Sequence, residues 1–219
     1  FEAGHPVPDE AGLRAAQAAL ELTRGLQEGD CVLFLISGGG SALFESPLVP
    51  LAELEDITGQ LLACGADIVE INTIRKRLSA VKGGRFALHC RPASVFSVVL
   101  SDIIGDPLDM IASGPAAPDS STCAEALAIA QKYGLRLSDG ALACLRAETP
   151  KTLPNAVSRV TGSVRALCDA AEQLTWNDTV LYAALFPDTQ DRPRNFQIVT
   201  ELKAFASDTR YVTDVILLC

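Results

Sequence analysis

Histidines and paired cysteines are scarce in this sequence. It contains only two histidines, His5 and His89, and its seven cysteines are scattered without any C-x-x-C pair. A zinc site built from histidine and cysteine therefore has almost no candidate ligands. An odd number of dispersed cysteines is typical of a reduced protein whose thiols pack in the core, which predicts a cytoplasmic location.

Positive charge and long apolar runs are also lacking. The 18 Lys and Arg are outnumbered by 27 Asp and Glu, for a formal net charge of −9. This balance argues against nucleic acid or an anionic membrane as a partner. No apolar run approaches the length of a membrane span, and no signal-peptide pattern opens the chain. The 48% hydrophobic and 21% charged residues over 219 positions are typical of a globular protein with a sizeable core.

Segments with strand and helix patterns alternate along the chain. The apolar runs 31–37 and 93–102 predict strands buried on both faces. Helical patterns cover 11–25, 50–64, 69–84, 122–134 and 138–148; a strand and then a helix are predicted over 156–174, and late strands over 178–186 and 213–219. This alternation predicts an α/β fold with a mostly parallel sheet and helices on both faces.

One predicted strand ends in three glycines between two serines, in the run VLFLISGGGSALFESP from Val32 to Pro47. Glycines accept positive φ and let successive N–H groups point at one place, which suits an anion. No Gly-Lys-Ser/Thr follows, so this is not a Walker A loop, and no G-x-G-x-x-G fingerprint follows a strand. A tight strand-to-helix turn without a ligand is the alternative interpretation.

The second strand also ends in a polar, glycine-bearing segment, SDIIGD, which contains Asp102 and Asp106. Since ligands collect at the carboxyl ends of parallel strands, this segment and the glycine loop are expected to face one crevice if the strands are neighbours. Carboxylates placed there can hold a metal or accept a proton from an attacking hydroxyl. The alternative is that one of them only caps a turn.

Cations cluster in the segment EINTIRKRLSAVKGG, where Asn72 and Arg75 or Lys76 share a helical face. In so acidic a chain, this cluster and Lys82 could clamp an anionic substrate; a solvated helix face is the alternative. Two proline-rich stretches could also line a pocket or be structural only. They present His5 in EAGHPVPDEAG and Ser113-Gly114 in ASGPAAPDSST.

In this order the stretches resemble the class II glycerate 2-kinases, whose C-terminal part is the MOFRL domain. The similarity rests on GHPVPDEAG at 4–12, LISGGGSAL at 35–43, EINTIRKRLSAVKGG at 70–84, SDIIGD at 101–106 and IASGPAAPDSST at 111–122. It is dense from residue 1 to 135 and looser to 185. Five motifs in register are far more specific than any one of them.

The resemblance implies transfer of a phosphoryl group from ATP to the 2-hydroxyl of D-glycerate, with Mg²⁺. It implies a Rossmann-like three-layer α/β/α domain over 1–185 whose start is missing, then a linker and partial MOFRL-like segment over 186–219. A homodimer is one possible assembly. The implied catalytic residues are Asp102, Arg75 and Lys76; the implied metal ligands are Asp102 and Asp106; the implied substrate or phosphate ligands are Ser37, Gly38, Gly39, Gly40, Ser41, Asn72, Lys82, His5, Ser113 and Gly114.

Parts of the family pattern are missing. The family's Gly-Lys-Ala motif would precede Phe1, Arg192-Pro193 replaces glycines of a later motif, and the chain ends at Cys219 where a Gly-Thr-Asp-Gly motif would begin. A molecule of only these residues is therefore expected to lack activity. Two alternatives stay open: an NAD(P)H-dependent hydroxypyruvate reductase, although its cofactor fingerprint is missing, and a non-catalytic glycerate- or nucleotide-binding protein.

Overall fold

The computed structural model describes residues 1–5 and 7–166, which form helices around a three-stranded parallel sheet. The elements in chain order are α1 (Glu10–Leu22), β1 (Cys31–Ile36), α2 (Gly40–Leu43), α3 (Leu51–Ala63), α4 (Ile68–Arg77), α5 (Arg85–His89), β2 (Ser94–Leu100), a 3₁₀ turn (Ile111–Ser113), α6 (Cys123–Lys132), α7 (Asp139–Arg146) and β3 (Ala156–Gly162). The predicted α/β class with a parallel sheet is confirmed.

The chain separates into two units, Phe1–Ser163 and Val164–Cys219. All the elements named above belong to the first unit. The predicted strands at 178–186 and 213–219, most of the helix within 156–174 and the predicted boundary between 185 and 186 lie outside the described residues. The domain boundary stays a prediction.

The sheet places the ends of its strands at one edge. The order is β1-β2-β3 with every pair parallel, so Leu35 stands beside Val98 and Val98 beside Arg159. The glycine loop follows β1, and the segment containing Asp102 follows β2. Because β1 and β2 are direct neighbours, both segments emerge at the same edge, as a shared crevice requires.

One face of the sheet is packed against helices. Phe34 of β1 meets Phe86 of α5 with ring centroids 4.8 Å apart, in a cluster that also contains Val95 of β2 and Leu20 of α1. On the other face, Leu33 and Leu35 are 64% and 69% exposed. Phe96 of β2, the neighbour of Leu33, is 39% exposed. The prediction that β1 and β2 are buried on both faces was therefore wrong, because the helices α1 and α5 both pack on the Phe34 side.

Helix α4 is shorter than its sequence pattern predicts. It begins at a capping box formed by Asp67 and Glu70, and ends at Arg77 rather than at residue 84. Beyond it, the N–H groups of Gly83 and Gly84 donate to Ser113 O and Gly114 O at 3.0 and 2.7 Å. These N–H groups thus bond to carbonyl groups of a segment distant in sequence instead of to the preceding turn of a helix. The periodicity of the sequence alone does not specify such acceptors.

The helices predicted over 11–25, 50–64, 122–134 and 138–148 are confirmed within about three residues at each end. Among the described residues, none of the helices is long and apolar enough to cross a membrane.

Candidate functional site

The glycine loop, residues 37–41, lies against Asp102. A Cβ atom on Gly38 would lie 2.9 Å from Asp102 Oδ2. Gly39 has φ of 83° and leads into the single turn of α2. Within the described part of the chain, the N–H groups of Gly39, Gly40 and Ser41 donate to no acceptor. The loop therefore offers main-chain donors beside a carboxylate, and the positive φ of Gly39 favours glycine at that position.

The second wall of the site is the turn formed by Ala112, Ser113 and Gly114. Their φ values are 52°, 60° and 65°, so two non-glycine residues adopt the left-handed conformation in succession. Each such residue costs about 1 kcal/mol or more and persists only where its surroundings enforce it. A Cβ atom on Gly40 would lie 2.6 Å from the Cβ atom of Ala112, so this turn and the glycine loop are in van der Waals contact.

Hydroxyl groups connect the two walls to α4. Ser41 Oγ lies 3.2 Å from Ser113 Oγ, and Ser113 Oγ donates to Asn72 Oδ1 at 2.9 Å. Because the single hydroxyl hydrogen of Ser113 is used on Asn72, Ser41 is the donor to Ser113. The lone pairs of Ser41 Oγ remain available to a group that donates a hydrogen bond.

Arg75 supplies positive charge next to the glycine loop. Its Nη2 donates to Ser41 O at 2.9 Å, and its buried Nε has no partner within the described residues. Burial lowers the pKa of the guanidinium from its usual value, while the negative charge of Glu45 acts in the opposite direction. The guanidinium is held against the loop through Ser41 O, so its positive charge favours an anion that binds at the loop.

Other predicted site residues have different partners. Lys76 Nζ contacts Asp119 Oδ1 at 2.6 Å and Asp109 Oδ2 at 3.3 Å, and none of its side chain is exposed. Lys82 Nζ, also buried, donates to Phe44 O at 3.0 Å. The alternative interpretation of this segment as a solvated helix face is wrong, because residues 71–77 of α4 are all buried.

His5 lies beside the glycine loop, since a Cβ atom on Gly39 would be 3.3 Å from its Cδ2 atom. Asp106 has φ of 53°, and its N–H donates to Ile103 O at 3.2 Å. No described contact brings Asp106 to the glycine loop. Ser37 directly follows β1 and is exposed.

The site contains one carboxylate at the loop rather than a ready-made metal cage. Within residues 1–5 and 7–166, no three His, Cys, Asp or Glu side chains gather as metal ligands. Mg²⁺ is commonly held by one or two carboxylates together with substrate phosphates and water. The described residues therefore fit a Mg²⁺ ion that takes Asp102 as its protein ligand.

Two buried carboxylates, Glu45 and Asp119, were not among the predicted site residues. Glu45 is 1% exposed and lies 3.7 Å from Lys82 Nζ; Asp119 lies between Lys76 and Arg77. Each is a charged residue within a stretch whose other members are apolar, small or proline. Such isolation is a weak signal of burial, and it could have identified Glu45 in LFESP and Asp119 in PAAPDSS.

Residues 1–146 match the model of a domain family described as a domain of unknown function, DUF4147. The D-glycerate 2-kinase of Thermotoga maritima is 53% identical over 176 residues, which cover 80% of this chain and 42% of that protein. A putative hydroxypyruvate reductase of Agrobacterium vitis is 44% identical over 169 residues, 75% of this chain and 37% of that protein.

A solved structure is similar as well. The crystal structure of glycerate kinase from Thermotoga maritima superposes with a TM-score of 0.81 at 43% identity, covering 97% of this chain and 53% of that chain. The chain therefore spans about half the length of the relatives it matches.

Proposed function

The chain belongs to the DUF4147 domain family, and we propose that it is part of an ATP-dependent D-glycerate 2-kinase. The observation that carries the proposal is the glycine loop, where three main-chain N–H groups have no acceptor among the described residues. Asp102 lies against Gly38 of this loop, and Arg75 donates a hydrogen bond to Ser41 O. Phosphoryl transfer needs such charge neutralisation and positioning more than covalent chemistry. The names of the Thermotoga maritima relatives support the choice of substrate.

In this proposal the glycine loop and Arg75 hold anionic oxygen atoms. The N–H groups of Gly39, Gly40 and Ser41 point at a phosphate or at the glycerate carboxylate, and Arg75 adds a fixed positive charge. Ser41 Oγ, whose own hydrogen is directed to Ser113, accepts a hydrogen bond from a substrate hydroxyl. His5 and Ser37, at the rim of the loop, extend the proposed binding surface. Asn72, Ser113 and Gly114 are buried behind the loop, so their proposed role is to support it from within the protein.

Asp102 is proposed as the carboxylate that handles the reacting hydroxyl. It is exposed at the strand edge, so it can accept the proton that the 2-hydroxyl loses. The hydroxyl oxygen then bonds to the γ-phosphorus of ATP as the bond from that phosphorus to the β–γ bridging oxygen breaks and ADP leaves. Bound Mg²⁺, with Asp102 as ligand and Asp106 as a second candidate, would neutralise charge on the phosphate oxygens. Lys76 has a weaker claim to a direct role, because both its acidic partners are already within 3.3 Å.

The test is ATP-dependent phosphorylation of D-glycerate by the full-length protein, with ³¹P and ¹³C NMR to identify the modified hydroxyl. We expect 2-phosphoglycerate as the product. Asp102→Asn should lower turnover at least about a hundredfold with unchanged folding, the scale of a lost general base or electrostatic group. Glu28→Gln, in the exposed segment before β1, is the matched control and should retain full turnover. Another product, or near-normal turnover of a folded Asp102→Asn protein, would contradict the proposal.

A second candidate is a hydroxypyruvate reductase, because the Agrobacterium vitis relative carries that name. Hydroxypyruvate and glycerate differ by two electrons and two protons at one carbon, so one carboxylate site could bind either. Neither β1 nor β2 is followed by a G-x-G-x-x-G fingerprint, which argues against a nicotinamide cofactor at this site. Loss of nicotinamide absorbance on addition of hydroxypyruvate, without ATP, would favour this candidate. Glycerate or nucleotide binding without either reaction would favour a non-catalytic protein.

A further inference from the structure

A group of buried charges lies behind the glycine loop, formed by Lys82, Glu45 and Arg75. The side chain of Lys82 is fully buried, Glu45 is 1% exposed and Arg75 is 9% exposed. Two cations therefore share one carboxylate within the protein interior. Burying a charged group costs free energy unless the group has partners, so the contacts of these three residues indicate what they do in the structure.

The contacts of Lys82 join the two walls of the site. Its Nζ donates to Phe44 O, at the end of α2, at 3.0 Å, and to Ala112 O, in the left-handed turn, at 3.5 Å. Phe44 ends the helical turn that begins at the glycine loop. The ammonium group thus bridges one carbonyl oxygen from each wall, and a fully buried ammonium has no surface left for a solvent-borne ligand.

The turn at 112–114 depends on such support. Ala112 and Ser113 both have positive φ, a conformation that relaxes unless neighbouring groups oppose it. Ser113 is tied by Asn72 and by the N–H of Gly83, whereas the carbonyl of Ala112 accepts from Lys82. Since a methyl group on Gly40 would lie only 2.6 Å from Ala112 Cβ, a shift of the turn would change the shape of the glycine loop directly.

Glu45 supplies the opposite charge. Its Oε2 atom lies 3.7 Å from Lys82 Nζ and forms no hydrogen bond within the described residues, while Oε1 accepts from Ser46 N at 3.0 Å. The carboxylate therefore acts on Lys82 mainly through charge. Removing that charge while keeping the shape, as Glu45→Gln does, is a mild change whose consequences are electrostatic.

We propose that Lys82 is a positioning residue whose ammonium group, balanced by Glu45, sets the spacing between the glycine loop and the 112–114 turn. The inference rests on the proposed kinase function for its activity readouts, but not for its structural readout. Lys82 acts through Phe44 O and Ala112 O rather than by touching the substrate.

The charge of Lys82 is sensitive to pH. Burial lowers its pKa to about 8; Glu45 acts to raise it, and Arg75 acts to lower it. Above this pH the ammonium loses its charge and one of its hydrogen-bond donors. Lys82 is therefore charged, and bridges the two walls most strongly, below about pH 8. Glu45→Gln removes the carboxylate that favours the charged form of Lys82, so Lys82 loses its charge at a lower pH in this variant.

The test measures kcat and KM from pH 6 to 10 for wild type, Lys82→Met, Glu45→Gln and the double variant of the full-length protein. Lys82→Met should lower kcat at pH 7 about 10- to 100-fold, the cost of a displacement on the order of 1 Å in a catalytic site. Glu45→Gln should lose activity at a lower pH than wild type does, and circular dichroism checks that the variant is folded, because the buried ammonium has lost its carboxylate partner. The double variant should be more active than Lys82→Met, because it leaves no unpaired carboxylate. Lys132→Met, at an exposed lysine, is the control and should keep the wild-type profile.

Crystal structures of wild type and Lys82→Met give the readout that does not depend on activity. We expect the distance between Phe44 O and Ala112 O to change in the variant and the φ values of Ala112 and Ser113 to relax. If these positions are unchanged, or if Glu45→Gln leaves the alkaline limit in place, the inference is wrong. If neither glycerate nor hydroxypyruvate is converted but the structural change occurs, the proposed function fails and the positioning role stands.

Discussion

At the scale of single residues, Gly40 is the position where the site tolerates least change. A methyl group there would lie 2.6 Å from Ala112 Cβ, closer than side-chain carbons come in folded proteins. We predict that Gly40→Ala destabilises the protein by about 1–3 kcal/mol, the usual cost of overpacking, and displaces the loop from the 112–114 turn. Circular dichroism during thermal unfolding and kinase assays measure the two effects.

Gly59 provides the matched control for this prediction. It lies within α3 and has open space where a Cβ atom would be placed. Gly59→Ala should be neutral or stabilise the protein by up to about 1 kcal/mol, because alanine is the better helix former. Equal effects of the two substitutions would show that the contact between the walls is unimportant.

At the scale of an element, α4 connects the site to a buried ion-pair network. Two lysine–carboxylate pairs that involve this helix have the same 2.6 Å separation but differ in exposure. Lys76 and Asp119 are both fully buried, whereas Lys132 is 59% exposed beside Glu70. We predict that Lys76→Met costs about 3–5 kcal/mol, since it removes the nearer of the two cations that balance the buried Asp119 and leaves only Arg77, at 3.6 Å.

Lys132→Met is the comparison, and it should cost at most about 1 kcal/mol, because exposed ion pairs contribute little. Urea unfolding of both variants measures the difference. A folded, stable Lys76→Met protein with specifically lowered kcat would instead support the predicted catalytic role of Lys76, so the same pair of variants also tests that assignment.

At the scale of the whole described unit, hydrogen bonds hold several carboxyl groups in the ionised form. Burial tends to raise the pKa of Asp119, but hydrogen bonds from Lys76 and Thr149 outweigh it and lower the pKa to about 2. The hydrogen bond from Lys132 lowers the pKa of Glu70 to about 2, and the main-chain N–H of Cys123 does the same for Glu148.

These pKa values predict the response to acid. Each carboxyl group ionises at a lower pH in the folded state than in the unfolded state, so the unfolded state takes up more protons as the pH falls. These three groups predict a stability that does not change between about pH 5 and 7 and falls progressively between about pH 4.5 and 2. The midpoint of thermal unfolding measured across this range checks the prediction. Glu70→Gln should show a shallower decline, and an unchanged profile would contradict the assignment.

The sequence was informative about elements and motifs because both depend on neighbours along the chain. Periodicity and capping residues located the helices α1, α3, α6 and α7, and the apolar runs located β1 and β2. Five motifs in register identified the family resemblance. The order of the strands then placed the glycine loop beside Asp102, as a parallel sheet with neighbouring strands requires.

Only the tertiary structure decided what each charged residue contacts. Arg75, Lys76 and Lys82 look equivalent in the sequence, yet they contact the glycine loop, Asp119 and two carbonyl oxygens respectively. It also decided that α4 ends at Arg77 and that one face of β1 is exposed. The physical reason is that burial and ion pairing depend on partners distant in sequence, such as Glu45 and Asp119, and no local pattern specifies them.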